Sequence, residues 1–266
     1  MKNIQAKNVH IGKGVVIDPS ASIRGLDGEA DTIFIGDQTY IGADVQIICD
    51  DFKIGDYGRI HHHVNIHGYK PCHIGHNAWI GQYTIIDSVG GVRIGNNCGI
   101  GAHSQLWSHM KFGDMLAGCR FNSAKALEVG NDVWFVGHTI ISPIVAEDRS
   151  MALVGSVVTK EMKYNEIYAG NPAVSISHKA GHQFKEIELG EKQRIMEEYL
   201  GLFSSGKTSI RIVGTIDEIR FDDDFSYFCV RERMYNKTSS EEEIAFMKFL
   251  LPEKAKFTPV ANENRF

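Results

Sequence analysis

From Ile11 onward an aliphatic residue returns at every sixth position, and the next residue is usually glycine. The units read IGKGVV, IDPSAS, IGDQTY (35–40), IGADVQ (41–46), IGDYGR (54–59), IHHHVN (60–65), IGHNAW (74–79), IGQYTI (80–85), IGNNCG (94–99) and IGAHSQ (100–105). Imperfect units, IICDDFK, IHGYKPCH and IDSVGGVR, fall between them. This period matches neither an amphipathic helix nor an alternating strand. It suits a coil of flat faces, with one unit per face and each aliphatic residue pointing into a narrow core. A small residue later in the unit fills the remaining interior, and glycine lets the backbone turn where a side chain would crowd. One turn of such a coil cannot bury its own apolar edge, so stacking stabilises it.

Two stretches break the beat. "GLDGEADT" is an early insertion, and Leu106 to Gly130 carries "LWSHMKFGDMLAGCRFNSAKALEVG" before the rhythm resumes at VGNDVW (129–134). The pattern then continues through FVGHTI, ISPIVA, EDRSMA and LVGSVV to Val158, with Glu147 standing where an aliphatic residue is due. An excursion of this length in a compact coil marks a functional segment or disorder. Met110, Phe112, Leu116 and Phe121 in it are side chains that favour burial. Beyond the coil, "HQFKEIELGEKQRIMEEYLGLF" predicts an amphipathic helix with Ile195, Tyr199 and Leu202 on one stripe. "SIRIVGTI" and "FSYFCVRERMY" predict strands, and Ser240 with Glu243 three positions on opens a second helix that stops at Pro252. The expected organisation is a mainly β coil domain over 1–176 with a loop excursion at 110–128. A small α/β appendage over 177–266 follows.

The units, together with the "GNDVW" hexad and the segment "TKEMKYNEIYAGNPAVSI", resemble the hexapeptide-repeat acyltransferases over roughly residues 1–175. The resemblance implies a left-handed parallel β-helix, against the usual right-handed crossover. Within that family the pattern is similar to the galactoside, maltose and polysaccharide O-acetyltransferase branch. There a catalytic histidine follows a pair of complete hexads, ahead of an excursion and one turn before a GNxVW hexad; the matching residue here is His109. A neutral imidazole can take the proton of an acceptor hydroxyl or amine as it attacks a thioester. The sequence has no GxSxG elbow that would indicate an acyl-enzyme. Taken alone, His109 reads equally as a solvated loop histidine.

The same resemblance implies acetyl-CoA as the acyl donor, laid along the coil between subunits of a homotrimer. The matching positions for its contacts are Trp134, Gly137, Val154, Thr159 and Lys160. Relatives often carry alanine at the Val154 position, where the backbone contact survives the change. Lys160 is either a phosphate partner or an ordinary surface lysine. Asn65, Asp87 and Trp107 are candidates for acceptor binding, although Asn65 and Asp87 suit a structural ladder somewhat better. The histidines His61, His62, His63 and His67 raise the question of metal. γ-class carbonic anhydrases share the fold and bind zinc through three histidines, but only His67 aligns, with Gly81-Gln82 and Asp87 at the other positions. No metal is expected.

Composition narrows the picture a little further. With 28 Lys and Arg against 33 Asp and Glu the formal net charge is −5, and no basic block suggests nucleic acid as a partner. Five scattered cysteines without a CxxC pair, no apolar leader and no membrane-length apolar run lead to an expected cytoplasmic location. The leading expectation is acetyl transfer to a sugar hydroxyl of a nucleotide-sugar, glycan precursor or surface polysaccharide. Sugar N-acetylation, a non-catalytic trimeric scaffold and a metal hydratase are the alternatives.

Overall fold

The structure, a computed structural model, describes residues 3–204, 206–221 and 224–260. The chain forms two compact units, Met1–Phe184 and Lys185–Phe266.

In the first unit the repeat becomes a parallel β-coil with three faces. The first face stacks Ser22–Arg24, Gln46–Cys49, Asn65–Gly68, Ile85–Asp87, Gln105–Leu106, Ile140–Ile141 and Val157–Val158. The second stacks Ala30–Ile35, Asp51–Ile54, Cys72–Ile74, Val92–Ile94, Leu127–Val129 and Val145–Ala146. The third runs from Val16–Ile17 through Trp79–Ile80, Gly99–Ile100 and Trp134–Phe135 to Met151–Ala152 and Ile167–Gly170. Ile4–Ile11 pairs with both Ser22–Arg24 and Ala30–Ile35, joining the first two faces at the start of the coil. Ala173–Ser175 pairs antiparallel with Ile167–Gly170 and ends the third face.

The beat residues sit one above another inside: Ile41, Ile60, Ile80, Ile100, Phe135 and Ala152 are all fully buried. Each large aliphatic side chain so enclosed contributes about 1.5–3 kcal/mol. The small late residues of the units, among them Val45, Val64, Ala78, Cys98 and Val133, are buried as expected. Polar ones find partners: Thr39 Oγ1 donates to the Gly55 carbonyl at 3.0 Å, and Thr139 Oγ1 donates to Ser104 Oγ at 3.0 Å.

The glycines that follow the beat are explained by what lies above them. A Cβ on Gly36 would stand 2.5 Å from Asp56 N, and one on Gly95 would stand 2.6 Å from the Gly130 carbonyl oxygen. The next turn therefore forbids a side chain. The expectation that Glu147 breaks the beat is corrected by the register. The turn after Ile141 is one residue short, so the beat falls on buried Ala146, and Glu147 occupies the slot after it. That slot lies at the end of the second face, where, among the described residues, the isolated bridge from Ala146 to Met162 takes the place of a further strand. There the Glu147 side chain accepts from Lys163 Nζ at 3.0 Å and from Tyr164 N at 2.9 Å.

The three corners differ. Those from second to third face and from third to first face hold four residues at each turn, as in 36–39, 42–45, 95–98 and 101–104. The corner from first to second face varies, and both the "GLDGEADT" insertion and the long excursion emerge there.

In the second unit, the parallel pair Ile210–Val213 and Ser226–Cys229 is extended by Met234–Tyr235 and Thr258–Pro259. Phe228 is its centre, with the rings of Tyr235, Phe246 and Phe257 around it at 5.1–5.3 Å. Helix Glu241–Leu250 starts as expected, with Ser240 Oγ accepting from Glu243 N. The other helix, Leu189–Phe203, buries Met196 and leaves Leu202 exposed, so its inner stripe is rotated from the expected one. Among the described residues no helix is long and apolar enough to cross a membrane.

Candidate active site

The excursion leaves the coil at the variable corner. Leu106 is the last residue in the core, and Trp107 N still donates to the Ile141 carbonyl at 2.9 Å. The chain then turns outward. His109–Lys111 pairs antiparallel with Asn122–Ala124, placing His109 opposite Ala124 and Lys111 opposite Asn122. The expected loop is thus a hairpin, whose tip is tied by Asp114 Oδ1 accepting from Leu116 N and Ala117 N. The second face resumes at Leu127, which is fully buried, one residue before the expected end of the excursion.

One turn below, Asp87 ends the strand Ile85–Asp87, whose register with Gln105–Leu106 sets it beneath Trp107 and Ser108. Its side chain is fully buried, with 0% exposure, against 25% for His109. Asp87 Oδ2 accepts from Ser108 N and Ser108 Oγ at 2.8 Å each, and from His109 Nδ1 at 2.7 Å. Burial pushes the Asp87 carboxyl up, but the hydrogen bonds from His109 and Ser108 outweigh it and hold the group below its ordinary range. Asp87 is therefore ionised at neutral pH. An acceptor-only carboxylate on Nδ1 requires that nitrogen to carry the proton, so in the neutral imidazole Nε2 is the nitrogen with the lone pair. Ser108 Oγ in turn accepts from Gly90 N at 2.8 Å, so the support extends into the backbone of the lower turn.

Asp87 was expected either to touch the acceptor or to stand in a ladder. Fully buried, it accepts the backbone N–H of Ser108 in the turn above, as a ladder residue would, and also the imidazole N–H of His109. Ser108 was not anticipated, although a residue adjacent to the candidate base was a place to look. Trp107 lies beside the site, its ring 6.4 Å from the His109 ring and nearly edge-on, with Nε1 donating to Gln105 Oε1 at 3.3 Å. Asn65 is two turns below Gln105 in the same register and donates to Gln46 Oε1 at 3.4 Å.

The histidine cluster divides in two. His67 is register-paired with Asp87 and is exposed below the site. His61, His62 and His63 lie at the third-to-first corner, where His63, Tyr83, His103 and His138 form a column of rings 4.8–5.0 Å apart. Among the described residues no group of three or more His, Cys, Asp or Glu is arranged to hold a metal ion.

Of the residues matched to acetyl-CoA contacts, Trp134, Gly137 and Val154 lie round that same third-to-first corner. Trp134 is exposed on the third face, and Gly137 and Val154 occupy successive turns of the corner, Gly155 N donating to the Gly137 carbonyl at 3.0 Å. Thr159 and Lys160 follow the last strand of the first face and are exposed. Within one chain Gly137 and Val154 stand across the first face from His109, whereas Thr159, in register above Trp107 and Ser142, and Lys160 share the edge of His109.

No known protein-family profile matches the chain. Among solved structures, similarity extends to a hexapeptide-repeat-containing acetyltransferase from Vibrio cholerae O1 biovar eltor, complexed with acetyl coenzyme A. It shares 19% identity over 54% of this chain and 69% of that one, with a TM-score of 0.38. A maltose O-acetyltransferase from Clostridium difficile 630 shares 22% identity over 57% and 69%, with a TM-score of 0.35. A mutant of AntD, an N-acyltransferase from Bacillus cereus in complex with dTDP and coenzyme A, shares 19% identity over 76% and 95%, with a TM-score of 0.44.

Proposed function

We propose that this protein transfers the acetyl group of acetyl-CoA to a sugar hydroxyl, with His109 as general base. The observation that carries the reading is the Asp87–His109 pair: a buried carboxylate at 2.7 Å fixes the imidazole with Nε2 free, at the edge of a half-exposed site. Nε2 takes the hydroxyl proton as the acceptor oxygen attacks the thioester carbonyl carbon. The tetrahedral intermediate then collapses, the C–S bond breaks, and the proton on Nε2 passes to the departing CoA sulfur. Asp87 steadies the imidazolium formed in between without taking its proton. The thioester brings its own leaving group, so no protein nucleophile is required.

Acetyl-CoA is held by Trp134, Gly137, Val154, Thr159 and Lys160 of a neighbouring copy in a homotrimer. Two features support this. Trp134, Gly137 and Val154 lie across the first face from His109 in the same chain, and the hairpin projects apolar side chains, with Phe112 and Leu116 essentially fully exposed. Such side chains gain from burial against a second surface. The acceptor belongs to polysaccharide or nucleotide-sugar metabolism, in the cytoplasm.

The test is thiol release from acetyl-CoA with a panel of sugars and nucleotide-sugars. His109→Ala is expected to lower turnover by about 10²–10⁴-fold with the oligomer intact. Near-normal turnover in that variant would overturn the assignment. Transfer to an amino sugar but to no hydroxyl would move it to N-acetylation.

A further inference from the structure

Antiparallel pairing fixes which hairpin side chains share the side of the general base. Residues directly opposite one another point the same way, and the direction alternates along each strand. His109 with Ala124 and Lys111 with Asn122 therefore face one side, while Met110 with Ser123 faces the other. Lys111 is about 6.8 Å along the strand from His109, at two residues of strand rise. Its side chain is exposed, and Ala124 opposite His109 is too small to screen the space between them. The local charge points the same way. In a chain of net charge −5, the segment from Trp107 to Ala126, before the second face resumes, carries Lys111, Arg120 and Lys125 against one carboxylate, Asp114, whose Oδ1 is engaged by the hairpin tip.

We infer that the acceptor is an anionic sugar, its carboxylate or phosphate held by the Lys111 ammonium while His109 deprotonates a nearby hydroxyl. The inference rests on the acetyltransferase reading of the same site. An ammonium within one sugar ring's length of the base suits an acid group on the ring that reacts. The positive hairpin also raises the local concentration of anions over that of neutral sugars.

The experiment compares glucose, glucuronate and glucose 1-phosphate as acceptors in the acetyl-CoA assay, at low and high salt. It runs beside saturation-transfer NMR of the same three sugars without acetyl-CoA. Wild type should favour one or both anions over glucose in kcat/KM, and added salt should erode the preference. Lys111→Ala should reduce the anion-to-glucose ratio about tenfold, mainly through KM, and Lys111→Arg should restore much of it. A carboxylate site answers to glucuronate and a phosphate site to glucose 1-phosphate. Equal use of all three sugars, or a ratio unmoved by Lys111→Ala, overturns the proposal and leaves the acetyltransferase reading standing. NMR binding of an anion that depends on Lys111, with no acetyl transfer to any sugar, overturns the acetyltransferase reading and upholds the anion site. Neither transfer nor Lys111-dependent binding overturns both.

Discussion

Two sets of side-chain acceptors in this coil use the same chemistry to different ends. Along the second-to-third corner, Asp37, Asp56, His76, Asn96, Asn131 and Asp148 each accept the backbone N–H of the corresponding residue one turn earlier, at 2.7–3.0 Å. The ladder continues through every turn because the corner always holds four residues. Along the first-to-second corner, Asp87 accepts the backbone N–H of Ser108 and, in addition, two side chains, the Ser108 hydroxyl and the imidazole of His109. Where the corner is constant, an acceptor meets backbone and stabilises stacking. Where its length varies, the chain above can swing out and offer the acceptor a side chain. Fixed turn length gives a scaffold, and the one variable edge gives a site.

Exchanging the two kinds of acceptor gives tests of that contrast. The largest effect is expected from Asp87→Asn, which keeps the shape but lets the imidazole adopt the wrong tautomer. Turnover should fall by about 10²–10⁴-fold. A variant within a few-fold of wild type would make the pair structural. The pH dependence of stability has a definite sign. Because the folded-state pKa of Asp87 is lowered, its carboxylate stabilises the fold fully above the unfolded value of about 3.9. That contribution is lost as pH falls through the lowered folded-state value. The stability gap between wild type and Asp87→Asn should be constant at neutral pH and close only below about pH 4, as read from denaturant midpoints.

Next in size is Gly95→Ala, whose Cβ would press on the Gly130 carbonyl of the turn above. Unfolding should become easier by about 1–3 kcal/mol, measured by chemical denaturation. Glu147→Ala changes the equivalent slot at the end of the face and should lose only solvent-screened surface hydrogen bonds, shifting the denaturation midpoint less than Gly95→Ala does. Equal losses at the two positions would refute the account of the glycines. The smallest effect on turnover belongs to Asn96→Ala in the regular ladder, which removes the side-chain acceptor of His76 N. It should cost about 0.5–1.5 kcal/mol and leave turnover unchanged.

The legibility of the chain follows from the same division. Hexads such as IGDYGR and IGNNCG reveal the coil because each beat residue makes the same inward contact, so local pattern and global packing agree. His109 was visible because it sits where that agreement fails. Asp87 was seen as a residue of interest, but its contact with His109 was not foreseen. Its partner is 22 positions away across a corner of variable length, so no spacing rule links them. A readable signal did exist: a carboxylate directly after a beat residue, one turn below the break. The register error at Glu147 has a similar origin, since a turn shortened by one residue leaves no mark in composition.

By itself, then, the sequence determined the coil, its core residues, the place of the interruption and the presence of a small α/β unit after it. These follow from periodic burial, which each segment encodes locally. The tertiary structure alone decided that the excursion is a hairpin, that Asp87 lies beneath His109, and which hairpin side chains share the side of the base. Those facts depend on which residues of successive turns come to lie one above another, and stacking fixes that only once the whole coil has closed.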